Sequence, residues 1–185
     1  MHADVERILI SAERLNERVS TLAGEIAASY PAEGDGITIV TILAGSIVFL
    51  GDLIRRLPMK MRIGLVGVSS YPGRSTETHG AVPSSGDLPD IAGRDVLIVD
   101  DIVDTGGTLR LVQGEIGRAS PRSVRTAVLL RKPGKAAGDV AVDFVGFDIE
   151  DVFVVGYGLD FDGLYRNLPY IAELKRSVMK GRDSG

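Results

Sequence analysis

The stretch VLIVDDIVDTGGTL, Val96 to Leu109, decides how this chain is to be read. Val96, Leu97, Ile98 and Val99 form an apolar run suited to a buried strand. They lead directly into Asp100 and Asp101, a third acid at Asp104, and then Thr105, Gly106, Gly107 and Thr108. Like charges this close raise each other's pKa, and a carboxylate that leaves water needs a partner. A positive partner is therefore expected at the end of this strand.

Outward from that stretch the pattern alternates. Upstream, Ile37 to Leu43 (ITIVTIL) is β-branched and apolar almost throughout, as a strand covered on both faces of a parallel sheet would be. Ala44-Gly45-Ser46 then turns into a helix whose Ile47, Leu50, Ile54 and Leu57 keep helical spacing, and Met61 to Ser69 reads as the next strand. Before these, Leu15, Val19, Leu22 and Ile26 share one face of a helix over about 11–29, which Pro31 and Gly34 stop. Downstream come a helix over about 107–118, a strand over 123–130, a loop over 131–139, and short strands near Phe144 and Phe153. Strand and helix in alternation predict an α/β parallel sheet, with the tail as an added β-rich piece. Residues 70–93 are rich in Gly, Pro, Ser and Thr and keep no period. A stretch that long inside a compact domain is a lid candidate.

The 185 residues suit a single domain spanning 1–185, and neither an internal repeat nor a second domain is visible. With 44% hydrophobic and 25% charged residues the chain reads as globular. A net charge of −4 and a pI near 5.2 give no bulk reason to bind nucleic acid or an anionic membrane. Any anion site must be local. Cysteine is absent, which removes disulfides, thiolate metal sites and cysteine nucleophiles. The start, MHADVERILIS, matches neither a secretory signal nor a transit peptide, and no apolar run approaches the about eighteen residues of a membrane span. The expectation is a soluble, cytoplasmic protein without a nucleic-acid or membrane partner.

In open parallel sheets ligands bind beyond the carboxyl ends of the strands, where Asp100, Asp101 and the Thr-Gly-Gly-Thr turn fall. A glycine turn that opens a helix can aim several backbone N–H groups at one phosphate, aided by threonine hydroxyls. The acids just before it would repel that phosphate unless they hold hydroxyls or a divalent cation. A sugar phosphate with vicinal hydroxyls and Mg²⁺ has both features. Other readings fit less well. No GxxxxGK[ST] is present for a nucleotide triphosphatase, and Asp101 and Asp104 are three apart where a DxDxT phosphotransfer motif needs two. The Gly156-Tyr157-Gly158 run, with Gly163 misplaced, is too weak for a dinucleotide fingerprint.

VLIVDDIVDTGGTL resembles the phosphoribosyl-pyrophosphate (PRPP) signature of type I phosphoribosyltransferases. LAGSIVFLGDL, the SSY that opens the long loop, LLRKP and DFVGFDIEDVFVVGYGLDFDGLYRNLPYI resemble, in the same order, the hypoxanthine-guanine branch of that family. The likeness runs from Ile8 to about Ile171. Its carboxyl-terminal block separates this branch from the orotate, adenine and uracil relatives.

The resemblance implies a parallel sheet flanked by helices, a mobile lid over about 70–93 and a small β-rich hood mostly within 140–175. It implies Mg²⁺-dependent transfer of the 5-phosphoribosyl group of PRPP to N9 of hypoxanthine or guanine, giving IMP or GMP and pyrophosphate. By position, Asp104, Thr105, Gly106, Gly107 and Thr108 would cradle the 5-phosphate, and Asp100 and Asp101 the ribose hydroxyls, directly or through Mg²⁺. Asp104 would also be the catalytic group, facing N7 of the base. Lys132 would donate to the purine 6-oxo group and so reject a 6-amino base. Phe153 would stack on the base, and the backbone of Val154 would read its edge. Asp160 would serve a second Mg²⁺ or the purine 2-position. Arg166 would grip pyrophosphate with Ala44, Gly45 and Ser46, where the family often has a non-proline cis peptide, here Leu43-Ala44. Ser69, Ser70 and Tyr71 would lie in the lid near the phosphates. A homodimer or homotetramer is implied. Ala44 stands where many relatives carry lysine or arginine, and Gly107 where some carry lysine. A xanthine-preferring or pyrimidine-using enzyme is the alternative within the family, and a PRPP-binding regulator of nucleic acid the alternative outside it, against which length and acidity argue.

Plain structural roles stand beside these. Asp139, Asp143, Asp148 and Glu150 read as solvated surface acids, Lys132 alone as a loop lysine, Phe153 as core, and Arg166 as a turn cap or a partner of Asp162. His79 and His2 offer no histidine metal site.

Overall fold

The computed structural model describes residues 2–31, 34–68, 83–84, 89–135 and 140–180. In chain order the elements are β1 (Val5–Ile10), α1 (Ala12–Ala28), β2 (Ile37–Leu43), α2 (Ile47–Ile54), β3 (Met61–Val68), β4 (Pro83–Ser84), β5 (Asp95–Val103), α3 (Gly107–Arg118), β6 (Ser123–Arg131), β7 (Phe144–Asp148), β8 (Val154–Val155), β9 (Ile171–Leu174) and α4 (Arg176–Lys180). α1 starts where Ser11, in extended backbone, accepts from the Arg14 N–H at 3.4 Å, and it buries Leu15, Val19, Leu22, Ala23 and Ile26.

The main sheet has the order β4-β3-β2-β5-β6-β7. β3, β2, β5, β6 and β7 are parallel, and β4 is an antiparallel edge. Alternation along β5 shows why its residues had to be apolar on both sides. Leu97 and Val99 pack with Leu15 and Phe49 from α1 and α2, while Val96 and Ile98 pack with Leu109, Val112 and Ile116 of α3. The chain runs from β2 outward to β3 and then returns to place β5 on the other side of β2. The crevice at the carboxyl ends of β2 and β5 is therefore the switch point at which such sheets bind ligands.

Three boundaries differ from the sequence reading. β5 continues past Val99, because Asp100, Ile102 and Val103 stay in register with Val128, Leu130 and Arg131 of β6, so the two acids belong to the strand itself. Phe144 belongs to β7, which extends the parallel sheet and is not part of the added β piece. Arg18 of α1 ties that edge down, donating to the carbonyls of Val145 and Gly146 at 2.7 and 2.9 Å. The small antiparallel sheet is β1-β9-β8, and it recruits the amino-terminal strand, with Val5 opposite Leu174. A pairing across the whole chain leaves no local mark in sequence.

The acids read as solvated, Asp143, Asp148 and Glu150, are exposed as expected, and each also has a partner. Asp143 accepts from the Thr126 N–H at 2.8 Å, Asp148 pairs with Arg131 at 2.6 Å, and Glu150 pairs with Arg7; Asp139 lies outside the described residues. No helix among the described residues is long and apolar enough to cross a membrane.

Candidate active site

The loop after β2 forms one wall of the crevice. The Leu43-Ala44 peptide is cis, as the resemblance implied. Gly45 follows, and a Cβ on it would sit 1.6 Å from Asp101 Oδ2, so a glycine lets this loop lie against the second acid of β5. Ser46 is fully buried, and its hydroxyl is committed internally, to the Ile42 carbonyl and to Thr41 Oγ1 at 2.8 Å.

Asp100 and Asp101 face this wall. Asp100 Oδ1 accepts from the Asp101 N–H at 3.0 Å, and Asp101 Oδ1 from the Ile102 N–H at 2.9 Å. Among the described residues, no lysine, arginine or histidine forms an ion pair with either. Burial, and then the charge of Asp101, pushes the Asp100 carboxyl well above the ordinary carboxylate value. Burial also raises Asp101, against the backbone N–H groups and the charge of Arg166, which lower it. A pair of carboxylates with this little compensation is suited to receiving a hydroxyl-rich or cationic ligand.

Beyond β5 the backbone turns through Asp104 and Thr105 to Gly106, whose φ of +80° suits a glycine. A Cβ there would also meet Val140 Cγ2 at 2.8 Å. Gly106 is the N-cap of α3 and makes no side-chain cap bond, and the first turn carries no acid. The positive end of a 12-residue helix thus faces the crevice without a carboxylate of its own, flanked by the exposed Thr105 and Thr108.

Across the crevice, the Lys132 N–H bonds to the Val103 carbonyl at 3.1 Å, seating Lys132 beside the end of β5. Its side chain is buried, with Nζ 3.1 Å from Asp104 Oδ2 and 3.2 Å from Asp151 Oδ1. Lys135 Nζ lies 2.6 Å from Asp151 Oδ2 and 3.6 Å from Asp104 Oδ1. The latter distance is an ion pair but not a hydrogen bond, and Asp104 Oδ1 is buried without a hydrogen-bond partner. Phe153, 42% exposed, meets Phe161 edge-on at 5.5 Å, and buried Val154 opens β8.

The segment after β8 closes the crevice. Arg166 Nη2 lies 2.8 Å from Asp160 Oδ1, its Nη1 donates to the Gly158 carbonyl at 2.7 Å, and Asp160 Oδ2 caps the Gly163 N–H at 2.7 Å. Arg166 is thus ion-paired with Asp160. Gly158 has φ +102°, and a Cβ on it would come 2.1 Å from the Gly45 carbonyl, so this turn rests directly on the loop after β2. The fold brings together Asp101, Gly45, Gly158, Arg166 and Asp160 on one side, and Asp104, Lys132 and the segment leading to Phe153 on the other. Ser69, Ser70 and Tyr71 lie outside the described residues.

Asp151 and Lys135 were not anticipated from sequence. Asp151 is two residues before Phe153 and Lys135 three after Lys132, but no spacing reveals that these two loops meet. Among the described residues no group of three or more metal-binding side chains occurs. Mg²⁺ is often held by one or two carboxylates together with substrate phosphates, and the adjacent, under-compensated Asp100 and Asp101 fit that donor set.

Residues 10–162 match the phosphoribosyl transferase domain family. The chain is 43% identical over 180 residues to hypoxanthine-guanine phosphoribosyltransferase of Mycobacterium avium, covering 95% of this chain and 88% of that one. It is 38% identical over 179 residues to the enzyme of that name from Bacillus subtilis strain 168, covering 96% and 98%. A solved structure of Trypanosoma cruzi hypoxanthine phosphoribosyl transferase matches with a TM-score of 0.93 at 32% identity, over 100% of this chain and 99% of that chain. With the switch-point acids, the glycine turn and the carboxyl-terminal segment in place, this chain belongs to the phosphoribosyl transferase family, in its hypoxanthine-guanine branch.

Proposed function

We propose that the protein transfers the 5-phosphoribosyl group of PRPP to N9 of hypoxanthine or guanine, forming IMP or GMP and releasing pyrophosphate, a purine salvage reaction. The observation that carries this reading is the buried Lys132 ammonium 3.1 Å from Asp104, beside the uncapped end of α3. That arrangement sets a cation for an oxo group and a carboxylate for a ring N–H within reach of one phosphate site.

The N–H groups of the Gly106 turn and the hydroxyls of Thr105 and Thr108 take the 5-phosphate. Asp100 and Asp101 accept the ribose hydroxyls and would hold Mg²⁺ with PRPP, with Asp160 the acid for a second ion. When bound, Mg²⁺ would neutralise charge on the leaving pyrophosphate. Arg166 and the backbone of Ala44, Gly45 and Ser46 meet that pyrophosphate. Asp104 Oδ1, buried without a hydrogen-bond partner, accepts the proton at N7 as N9 becomes nucleophilic. Lys132 donates to the 6-oxo group; a 6-amino group would set donor against donor. Phe153 stacks on the base.

The test is nucleotide formation from PRPP with hypoxanthine, guanine, xanthine, adenine and uracil, with and without Mg²⁺. Mg²⁺-dependent IMP and GMP are expected, with adenine and uracil far poorer substrates. Xanthine as best base would replace the base assignment. No product with any base, with PRPP binding retained, would overturn the enzyme reading in favour of a PRPP-binding regulator.

A further inference from the structure

Lys132 does not sit between one carboxylate and solvent. Its ammonium has three donors: Asp104 Oδ2 accepts one at 3.1 Å, and Asp151 Oδ1 forms an ion pair with it at 3.2 Å. Asp104 follows β5, whereas Asp151 precedes β8 and stands two residues from Phe153. Lys135 closes the group at 2.6 Å from the other oxygen of Asp151. Two ammonium groups and two carboxylates make a neutral clasp between the loop after β6 and the segment that carries Phe153, the two walls assigned above to the base.

Resting on that assignment, we propose that Asp151 is a positioning residue for base recognition: it holds the Lys132 ammonium where the 6-oxo group arrives, independently of Asp104. Asp104 Oδ2 meets Lys132 while its Oδ1 is the oxygen given to the N7 proton, so Asp104 loses its charge as it takes that proton and then holds Lys132 less firmly. Asp151 is assigned no proton and no substrate atom, so nothing in the reaction requires its ion pair with Lys132 to break. Lys135 pairs with the other oxygen of Asp151, and its contact, ahead of that of Lys132, lowers the Asp151 carboxyl. A Lys132 donor is then left for the base, its ammonium aimed by one carboxylate from the end of β5 and one from the segment before β8. A lysine this buried with a single partner would have freedom to swing toward Asp104 and away from the 6-oxo position.

The test is steady-state kinetics of the full-length protein and Asp151→Asn with hypoxanthine, guanine and adenine, with Asp151→Glu as the conservative variant and Lys132→Ala as background. Asp151 is exposed, so its amide variant should fold as the parent does. Loss of an exposed ion-pair partner is expected to raise KM for hypoxanthine and guanine about fivefold. PRPP KM and kcat should stay within about twofold, and the preference over adenine should shrink in proportion. Asp151→Glu should restore most of the loss, and Asp151→Asn should add nothing in the Lys132→Ala background, since the two residues act as one unit. Unchanged KM in an active Asp151→Asn overturns the proposal alone, as does an equal loss with all bases or an undiminished effect without Lys132. Absence of nucleotide formation by the unmodified protein overturns the parent reading and this one with it.

Discussion

The two ends of β5 carry the same residue type in opposite circumstances. At the amino end, Asp95 is buried and fully partnered: Arg122 binds both oxygens, one of them at 3.0 Å, and Ser123 Oγ donates at 2.7 Å. The Arg122 guanidinium holds the Asp95 carboxyl below its ordinary value, with burial opposing. At the carboxyl end, Asp100 and Asp101 have backbone N–H donors and each other, and burial raises both. One strand therefore has its charge compensated by the protein at one end and left for a ligand at the other. Uncompensated burial, not acidity, marks the site.

If that contrast is right, changes at the carboxyl end should move activity and spare stability, and changes at the amino end the reverse. The largest effect is expected for Asp104→Asn, which keeps the shape but removes the proton acceptor. Its kcat should fall about a thousandfold, while PRPP affinity measured by calorimetry changes only a few-fold. Gly45→Ala comes next. Its Cβ would displace the Asp101 carboxylate and not the backbone, so kcat/KM for PRPP should drop about a hundredfold with little change in unfolding temperature. A matched fall in stability would show that Gly45 serves the loop and not the acid. Lys132→Ala should shrink the preference for hypoxanthine over adenine about tenfold, read from the ratio of kcat/KM values. At the other end, Asp95→Asn should leave kinetics unmoved and lower the unfolding temperature by about 3 °C.

The carboxyl end was legible in sequence because its chemistry is local: four apolar residues, two acids and a glycine turn are consecutive, and α3 begins where the spacing placed it. The helical steps of Leu15, Val19, Leu22 and Ile26 were readable for the same reason. The pairing of β1 with β9 was not, since Val5 meets Leu174 only through the finished sheet. Nor was the clasp of Lys132 with Asp151, or the turning inward of the Ser46 hydroxyl, because each depends on how two loops approach. The cis peptide at Leu43-Ala44 came from the resemblance; spacing and composition hold no sign of it.

The smallest effect tests both ends at once, through pH. A carboxyl lowered in the folded state contributes stability that is present above its unfolded value, here 3.8, and is lost as pH falls through the folded value. Asp95 thus shapes the acid limb. A carboxyl raised in the folded state does the opposite: its contribution is present below 3.8 and is lost as pH rises through the folded value, because the folded chain holds the proton more tightly. Asp100 and Asp101 should therefore make the ligand-free protein lose stability as pH climbs above 3.8, a decline that Asp100→Asn flattens and Asp95→Asn leaves in place. PRPP with Mg²⁺ should flatten it as well, since a ligand that prefers the ionised pair stabilises the form that burial penalises. Urea midpoints across pH, with and without that ligand, check this. A decline that survives both Asp100→Asn and the ligand would mean that the carboxyl end is as well compensated as the amino end, and that its acids are structural.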